Sequence, residues 1–169
     1  MNTYHMPDDT PGESRGFSLL ELLVVVSILV LVIGLSISSF NSFNRRERLK
    51  QASLNLKAAI RFAQTRAISA DKPASCVASN ASFVGMAINF TNNSYTVQHV
   101  CSDGVAGTDE SVTLPPGISF VSVPSSFTYN ALTRVTTLSA FQPILLTNSI
   151  ETYKLQVETN GQVNDLNFQ

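Results

Sequence analysis

The chain has 169 residues, of which 44% are hydrophobic, and a formal net charge of -1 at pH 7. This length suits one modest globular domain with an accessory segment, and the nearly balanced charge excludes a uniformly basic nucleic-acid-binding protein. Eight of the eleven Lys and Arg residues nevertheless lie between Arg45 and Lys72. The positive charge is therefore concentrated in one segment of the chain.

The first predicted element is an apolar helix from Phe17 to Ile37, interrupted only by Glu21, three serines and Gly34. Its 21 residues would form about 31 Å of helix, which is long enough to cross a bilayer. A helix of a soluble core would show a polar face at helical spacing, and none occurs before Asn41. The segment is therefore predicted to span a membrane.

Two simpler explanations fit this segment less well. A secretory signal peptide is consistent with the small residues at 36–38, but the apolar run is too long for one. The 16 residues before the run also contain three acidic residues and only Arg15 as a basic one. A plain signal anchor explains the length of the run but leaves Glu21 without a role.

Glu21 is expected to have a cationic partner, because an ionised side chain at the centre of a bilayer costs on the order of 3 kcal/mol. If the chain is cut after Gly16, the new amino group of Phe17 lies one helical turn from Glu21, at positions i and i+4. The same carboxylate could instead neutralise the amine of an adjacent copy. Such a contact would fix the axial register of a bundle of these helices.

The stretch Gly16-Phe17-Ser18-Leu19-Leu20-Glu21-Leu22-Leu23 resembles the class III leader junction of type IV pilins and type II secretion pseudopilins. The resemblance implies that residues 1–16 are a leader and that a prepilin peptidase cleaves after Gly16. It also implies that Phe17 is N-methylated and that Glu21 takes part in helix docking within a filament.

The same resemblance implies a bacterial inner-membrane protein with a single span over residues 17–37 and an extracytoplasmic, periplasmic domain. The sequence departs from the family in two ways: Ser38 stands where the family often has proline, and the leader is less basic than usual. The basic residues after the span would by themselves favour the reverse orientation. We interpret them instead as the polar face of a continuing helix.

Residues 38–72 are predicted to continue the helix as an amphipathic segment. Because Pro and Gly are absent from residues 35–72, a single helix is predicted from Phe17 to about Ala70, ended by Pro73. The basic residues form a solvated face, compatible with phospholipid headgroups, because the other face of the helix is apolar. That apolar face contains Leu49, Ala52, Leu56, Ala59, Ala63 and Ala67.

Residues 73–169 are predicted to form a β-rich domain, because the apolar period changes to two and clusters of Asn, Gly, Ser and Pro separate short runs. The fold class is α+β, with a long N-terminal helix packed on a C-terminal antiparallel sheet or sandwich. The layout resembles the GspH/FimT-type minor pilins and pseudopilins, which implies a structural subunit near the tip of a type II secretion pseudopilus or type IV pilus. The predicted strands are 84–90, 94–101, 111–114, 118–123, 127–130, 143–147 and 152–158.

The two cysteines, Cys76 and Cys101, have no close Cys or His companions at the spacing of a zinc site. In an exported domain, a disulfide between them would contribute roughly 3 kcal/mol in the chain-entropy model. Two buried free thiols are the other interpretation, and the choice depends on export.

No motif of a known catalytic centre occurs, so a non-enzymatic protein without cofactor or metal is predicted. His99 is predicted to lie on a strand, facing solvent or a packed neighbour. Asp103, Asp109 and Glu110 are predicted to share a loop. Their spacing matches no calcium-ligand loop, so an ordinary polar loop is favoured over a calcium site.

The partners implied are a prepilin peptidase, other pilin or pseudopilin subunits and the inner membrane, with no nucleic acid. A DNA-capturing minor pilin is the alternative, but residues 161–164 read Gly-Gln-Val-Asn where some members of the family have a basic G-R-x-R sequence. A signal-anchored extracytoplasmic enzyme or binding domain is a further alternative. It would require an uncut Gly16 and a polar pocket.

Overall fold

The computed structural model describes residues 18–104 and 106–168, except for the side chains of residues 35–40. Gly16 and Phe17, the predicted processing residues, lie outside this description. The chain divides into two compact units, with the boundary between Asn41 and Ser42. The elements in chain order are α1 (Leu19–Ser69), α2 (Ala74–Ala78), β1 (Phe83–Phe90), β2 (Ser94–Cys101), β3 (Ala106–Thr113), β4 (Ser119–Phe120), β5 (Phe127–Asn130), β6 (Gln142–Thr147), β7 (Thr152–Val157) and β8 (Val163–Phe168).

Helix α1 is continuous over 51 residues, in agreement with the absence of Pro and Gly from its second half. It ends at Ser69, and the next residue, Ala70, has a positive φ of 47°. The N–H of Leu132 donates to the carbonyl of Ala67 at 2.9 Å, which satisfies one of the carbonyls left free by the end of the helix. The helix thus ends one residue before the predicted end at about Ala70, and Pro73, which follows, is the N-cap residue of α2.

In the first unit, the large hydrophobic side chains of residues 19–33 of α1 are exposed. Their exposed fractions range from 47% at Val24 to 82% at Leu19. The one hydroxyl in this stretch, on Ser27, donates to the carbonyl of Leu23 at 2.8 Å, so the helix itself satisfies it.

Over the part of the chain that the structure describes, no helix combines the length and the apolar character that crossing a membrane requires.

In the second unit, the eight strands form two antiparallel sheets of four strands, with the orders β3-β2-β1-β5 and β4-β6-β7-β8. In the first sheet, Ile88 of β1 pairs with Val97 of β2 on one side and with Phe127 of β5 on the other. In the second, Ile144 of β6 pairs with Leu155 of β7. The predicted α+β class, a long helix with antiparallel sheets, is confirmed.

One hydrophobic core joins the amphipathic half of α1 to strands of both sheets. Each fully buried Leu, Ile or Val side chain in this core contributes about 1.5–3 kcal/mol to the stability of the fold. All six residues of the predicted apolar face are buried, and Ile60 joins them although the prediction omitted it. Ser53 is also buried on this face, and its hydroxyl donates to the carbonyl of Leu49 at 2.9 Å.

Two strands differ by more than one residue from their predicted positions, and a third was not predicted. β3 begins at Ala106 rather than 111, and it is a polar edge strand whose exposed residues give no apolar period. β4 is reduced to Ser119–Phe120, because only these two residues pair with β6. β8, which was not predicted, runs from Val163 to Phe168 and contains Asn and Asp residues that are depleted from strands in general.

The short helix α2 was also not predicted. Its five residues, Ala-Ser-Cys-Val-Ala, lie between the end of α1 and β1 and are too few to show a helical period. Cys76 is its buried residue, and the covalent bond made by this cysteine gives the helix a fixed position that five residues could not maintain alone.

Candidate functional site

Glu21 lies in the first turn of α1 and its side chain is exposed among apolar neighbours. At this position a carboxylate interacts favourably with the helix dipole, typically by about 0.3–1 kcal/mol. Within residues 18–104 and 106–168, Glu21 takes part in no ion pair, and the amine of Phe17 lies outside these residues. The predicted contact between Glu21 and that amine stays a prediction.

A disulfide joins Cys76 of α2 to Cys101 at the end of β2. The two Cα atoms are 5.5 Å apart, and the cysteines are 25 residues apart in sequence. Both are buried, in a small apolar cluster with Ala81 and the partly buried Phe83. The interpretation of the cysteines as free thiols is therefore excluded in this structure.

Next to the disulfide, a chain of hydrogen bonds connects Ser75, His99 and Asp109. Nδ1 of His99 lies 2.7 Å from Oδ2 of Asp109, and Nε2 lies 2.7 Å from Oγ of Ser75. Because a carboxylate only accepts, the Nδ1–H of His99 donates to Asp109, and in the neutral ring Nε2 then accepts the hydroxyl hydrogen of Ser75. We call these three residues the Ser-His-Asp relay.

Two further residues hold the relay in place. Gly107 faces His99 across the β2–β3 pair, and a Cβ added there would lie 2.3 Å from Cε1 of the imidazole. Only glycine leaves room for the ring. Arg66 near the end of α1 places Nη2 3.8 Å from Oδ1 of Asp109, the carboxylate oxygen that His99 does not contact.

The relay was not predicted from the sequence. His99 was expected on a strand and lies on β2, but Asp109 and Glu110 were expected in a loop with Asp103 and instead lie on β3. This removes the basis of the calcium-loop interpretation. In the described part of the chain, no group of three or more His, Cys, Asp and Glu side chains could hold a metal ion.

A second polar cluster joins α1 to the edge of the other sheet. Nζ of Lys57 lies 3.2 Å from Oδ2 of Asp165 on β8, and the hydroxyl of Tyr153 on β7 donates to Oδ1 at 2.6 Å. Burial alone would raise the pKa of Asp165. The hydrogen bonds from Tyr153, Lys57 and the N–H of Asn167, together with the charge of Lys57, outweigh it and lower this pKa below its usual 3.8.

The pKa of Tyr153 is shifted in the opposite direction to that of Asp165. Burial first, and then the hydrogen bond and negative charge of Asp165, raise the pKa of its hydroxyl to about 12. The hydroxyl therefore remains a neutral donor throughout the physiological range, which keeps the cluster intact.

Replacement of Asp165 by Asn should lower the free energy of unfolding at pH 7 by about 1–3 kcal/mol, because the negative charge is lost and one of the two acceptor oxygens becomes an NH2 donor. The pKa of Asp165 is lower in the folded chain than in the unfolded one. Its contribution is therefore complete above the ordinary pKa of 3.8 and declines as the pH falls through the folded-state value.

Urea unfolding of the wild-type chain and D165N at several pH values measures this contribution. The difference between them should shrink below about pH 4. The matched control is Asp71→Asn, which removes an exposed carboxylate and should change stability by less than about 0.5 kcal/mol at every pH. An effect of D165N that does not depend on pH would contradict the assignment.

A polar cleft of about 470 Å³ lies in the second unit, lined by Arg61, Gln64, Arg134, Asn160, Gln162 and Val163. Arg61 and Gln64 are one helical turn apart on α1, and Asn160 and Gln162 flank the β7–β8 turn. The stretch 161–164 that was compared with a basic DNA-binding sequence thus contributes one carboxamide, that of Gln162, to the cleft, while the arginines come from other parts of the chain. Arg134 was not predicted to contribute to any site.

Residues 13–37 match the prokaryotic N-terminal methylation motif, which contains Gly16, Phe17 and Glu21. No curated protein sequence and no solved structure matches the chain. The match covers the apolar half of α1 and the junction before it, and it does not extend into the second unit.

Proposed function

We propose that this chain, through its N-terminal methylation motif, is a structural subunit of the type IV pilin and type II secretion pseudopilin superfamily. A prepilin peptidase cleaves it after Gly16 and methylates Phe17. The processed subunit then assembles with other pilin-type subunits into a filament. The observation that carries this proposal is the motif match over residues 13–37.

The first unit supports assembly through its uncovered apolar helix. Side chains such as Leu19, Leu20 and Leu31, with exposed fractions of 82%, 73% and 69%, require a bilayer before assembly and neighbouring helices after it. Glu21 is the one carboxylate among them. In the filament it neutralises the amine of Phe17 on its own chain or on an adjacent copy, and the contact with an adjacent copy would fix the axial register.

The second unit supports a location outside the cytoplasm. The disulfide between Cys76 and Cys101 is typical of proteins that fold in an oxidising compartment. Residues 17–37 anchor the subunit in the inner membrane, and the β-rich unit lies in the periplasm. There it presents its surface to other subunits.

Within the superfamily, we assign the chain to the minor subunits of GspH/FimT type, near the tip of a pseudopilus or pilus. The support is the order of elements, in which one long helix precedes a domain made almost entirely of strands. Capture of DNA is the less favoured alternative, since residues 161–164 contain no arginine. A signal-anchored binding domain is also less favoured, since it leaves Glu21 without a partner.

Co-expression of the full chain with a prepilin peptidase tests the proposal. The membrane fraction should contain a chain that begins at methylated Phe17, as read from its intact mass and N-terminal peptide. Gly16→Val should abolish the cut. The matched control is Gly34→Val. Gly34 is a residue of α1, and a Cβ added there would have no neighbouring side chain or distant backbone atom within 4 Å. An intact leader, or a cut near Ser38, would overturn the proposal.

A serine hydrolase is the second candidate, and the Ser-His-Asp relay is the observation that favours it. The order of contacts, from hydroxyl to Nε2 and from Nδ1 to carboxylate, is that of a catalytic triad. Acyl transfer also needs a substrate cleft in front of the hydroxyl and donors for the oxyanion. The polar cleft described above is lined by other residues. We therefore assign the relay a structural role.

Labelling with a fluorophosphonate probe distinguishes the two roles. We expect no label on Ser75 in the wild-type chain, because we assign the relay a structural role and an attack would also require donors placed for the oxyanion. Ser75→Ala should leave filament assembly unchanged. Label that is present in the wild type and absent from both Ser75→Ala and His99→Ala would establish an activated serine and contradict the non-enzymatic assignment.

A further inference from the structure

The polar cleft is rigidly built from backbone contacts as well as side chains. Gly161, at the β7–β8 turn, has a φ of +83°, and a Cβ there would lie 2.0 Å from the carbonyl oxygen of Arg134. The turn therefore lies directly against the backbone of Arg134. Gln64 of α1 and the buried hydroxyl of Tyr129 both donate to the carbonyl of Gly161, at 3.2 and 3.1 Å.

The segment after Arg134 is fixed to the same turn. Thr136 donates both its N–H, at 3.0 Å, and its hydroxyl, at 3.2 Å, to the carbonyl of Thr159. The side chain of Gln64 and the segment after Arg134 are thus held by separate hydrogen bonds to one turn. The backbone around the cleft is therefore fixed before a ligand binds, so the entropy cost of ordering falls on the exposed arginine side chains.

The positive charges that line the cleft are not balanced by carboxylates within it. On α1, Arg46, Lys57 and Arg66 each have a carboxylate within 4 Å. Arg61 lies between the last two, and in the described part of the chain neither Arg61 nor Arg134 takes part in an ion pair. The lining of the cleft contains both guanidinium groups and no Asp or Glu.

We propose that this cleft binds an acidic polypeptide segment, with carboxylates at Arg61 and Arg134. Two guanidinium groups in one cleft repel each other until an anion lies between them, and arginine binds carboxylates through two parallel hydrogen bonds. The carboxamides of Gln64, Asn160 and Gln162 can both donate to and accept from peptide groups. The cleft offers no aromatic side chain on which a nucleic acid base would stack, which favours a peptide over an oligonucleotide.

The proposal does not depend on processing or filament assembly, because every residue of the cleft lies in the second unit. It is tested with the full chain in detergent by fluorescence anisotropy, with three labelled probes at low and at physiological salt. The probes are hexaglutamate, hexaglutamine and an oligothymidylate with the same number of negative charges as hexaglutamate.

Two double variants accompany the wild type. Arg61→Gln with Arg134→Gln removes both charges of the cleft, and Arg48→Gln with Lys50→Gln removes two exposed charges elsewhere on α1. All four substituted residues are exposed, so both variants should fold. Near-UV circular dichroism of the buried tyrosines checks this.

Hexaglutamate should bind the wild type, and the cleft variant should bind it at least about tenfold more weakly. The control variant should remain within about twofold of the wild type, because exposed charges outside a site contribute little. Hexaglutamine should not bind. Absence of hexaglutamate binding, equal losses in the two variants, or tighter binding of oligothymidylate that is lost in the cleft variant would each overturn the proposal.

Discussion

Replacement of both Cys76 and Cys101 by alanine should lower the free energy of unfolding of the second unit by about 3 kcal/mol. The disulfide closes a loop with a sequence separation of 25, and without it the unfolded chain regains the conformational freedom of that loop. The loss also includes packing, because both sulfurs lie in the small cluster beside α2. Urea unfolding, followed by near-UV circular dichroism of tyrosine, measures the effect, since the chain contains no tryptophan.

Reduction provides an internal control for this prediction. The chain has only these two cysteines, so dithiothreitol should destabilise the wild type to a similar extent and leave the double variant unchanged. The relay should also weaken, because Ser75 precedes Cys76 on α2 and bonds to His99. Equal stability of the oxidised wild type and the double variant would mean that non-covalent contacts alone fix α2.

Replacement of Leu56 by alanine should destabilise the second unit by about 2–5 kcal/mol. Leu56 is fully buried in the core that α1 shares with both sheets, and truncation leaves a cavity that the surrounding strands can only partly fill. The readout is again the midpoint and slope of urea unfolding.

Leu54→Ala is the matched control, because Leu54 lies on the same helix, two residues away, and its side chain is 38% exposed. Leu54→Ala makes the same chemical change on the same helix and should lower the free energy of unfolding by about 1 kcal/mol or less. Similar effects of the two substitutions would contradict the packing of this face of α1 on the sheets.

The helix and its buried face could be predicted because their signals are local. The 3.6-residue period places Leu49, Leu56 and Ala63 on one face, and no Pro or Gly interrupts the second half of α1. β8 gave no such signal. Its run of polar residues becomes a strand because β7 offers it a free edge, with Val157 paired to Val163 and Tyr153 to Phe168, and such pairing depends on tertiary context.

The candidate sites were predictable to different degrees. The proposed processing and assembly residues Gly16, Phe17 and Glu21 lie within one short motif, so the sequence alone suggests them. The relay and the cleft combine residues that are distant in sequence: Ser75 and Asp109 meet at His99, and Arg61 meets Arg134. Only the strand register and the turn at Gly161 bring them together, and neither can be derived from spacing.

The boundary between the two units falls inside α1 rather than in a linker, and this determines how the second unit would behave as a separate fragment. A chain starting at Ser42 would lose the helical turns before it, and the N–H groups of its first turn would have no carbonyl acceptors. Fraying there should remain limited, because serine is a favoured N-cap residue. After Ser42, the first buried side chain is that of Leu49, about two turns further on. Soluble expression from Ser42 should therefore preserve the entire core while omitting the apolar half of the helix.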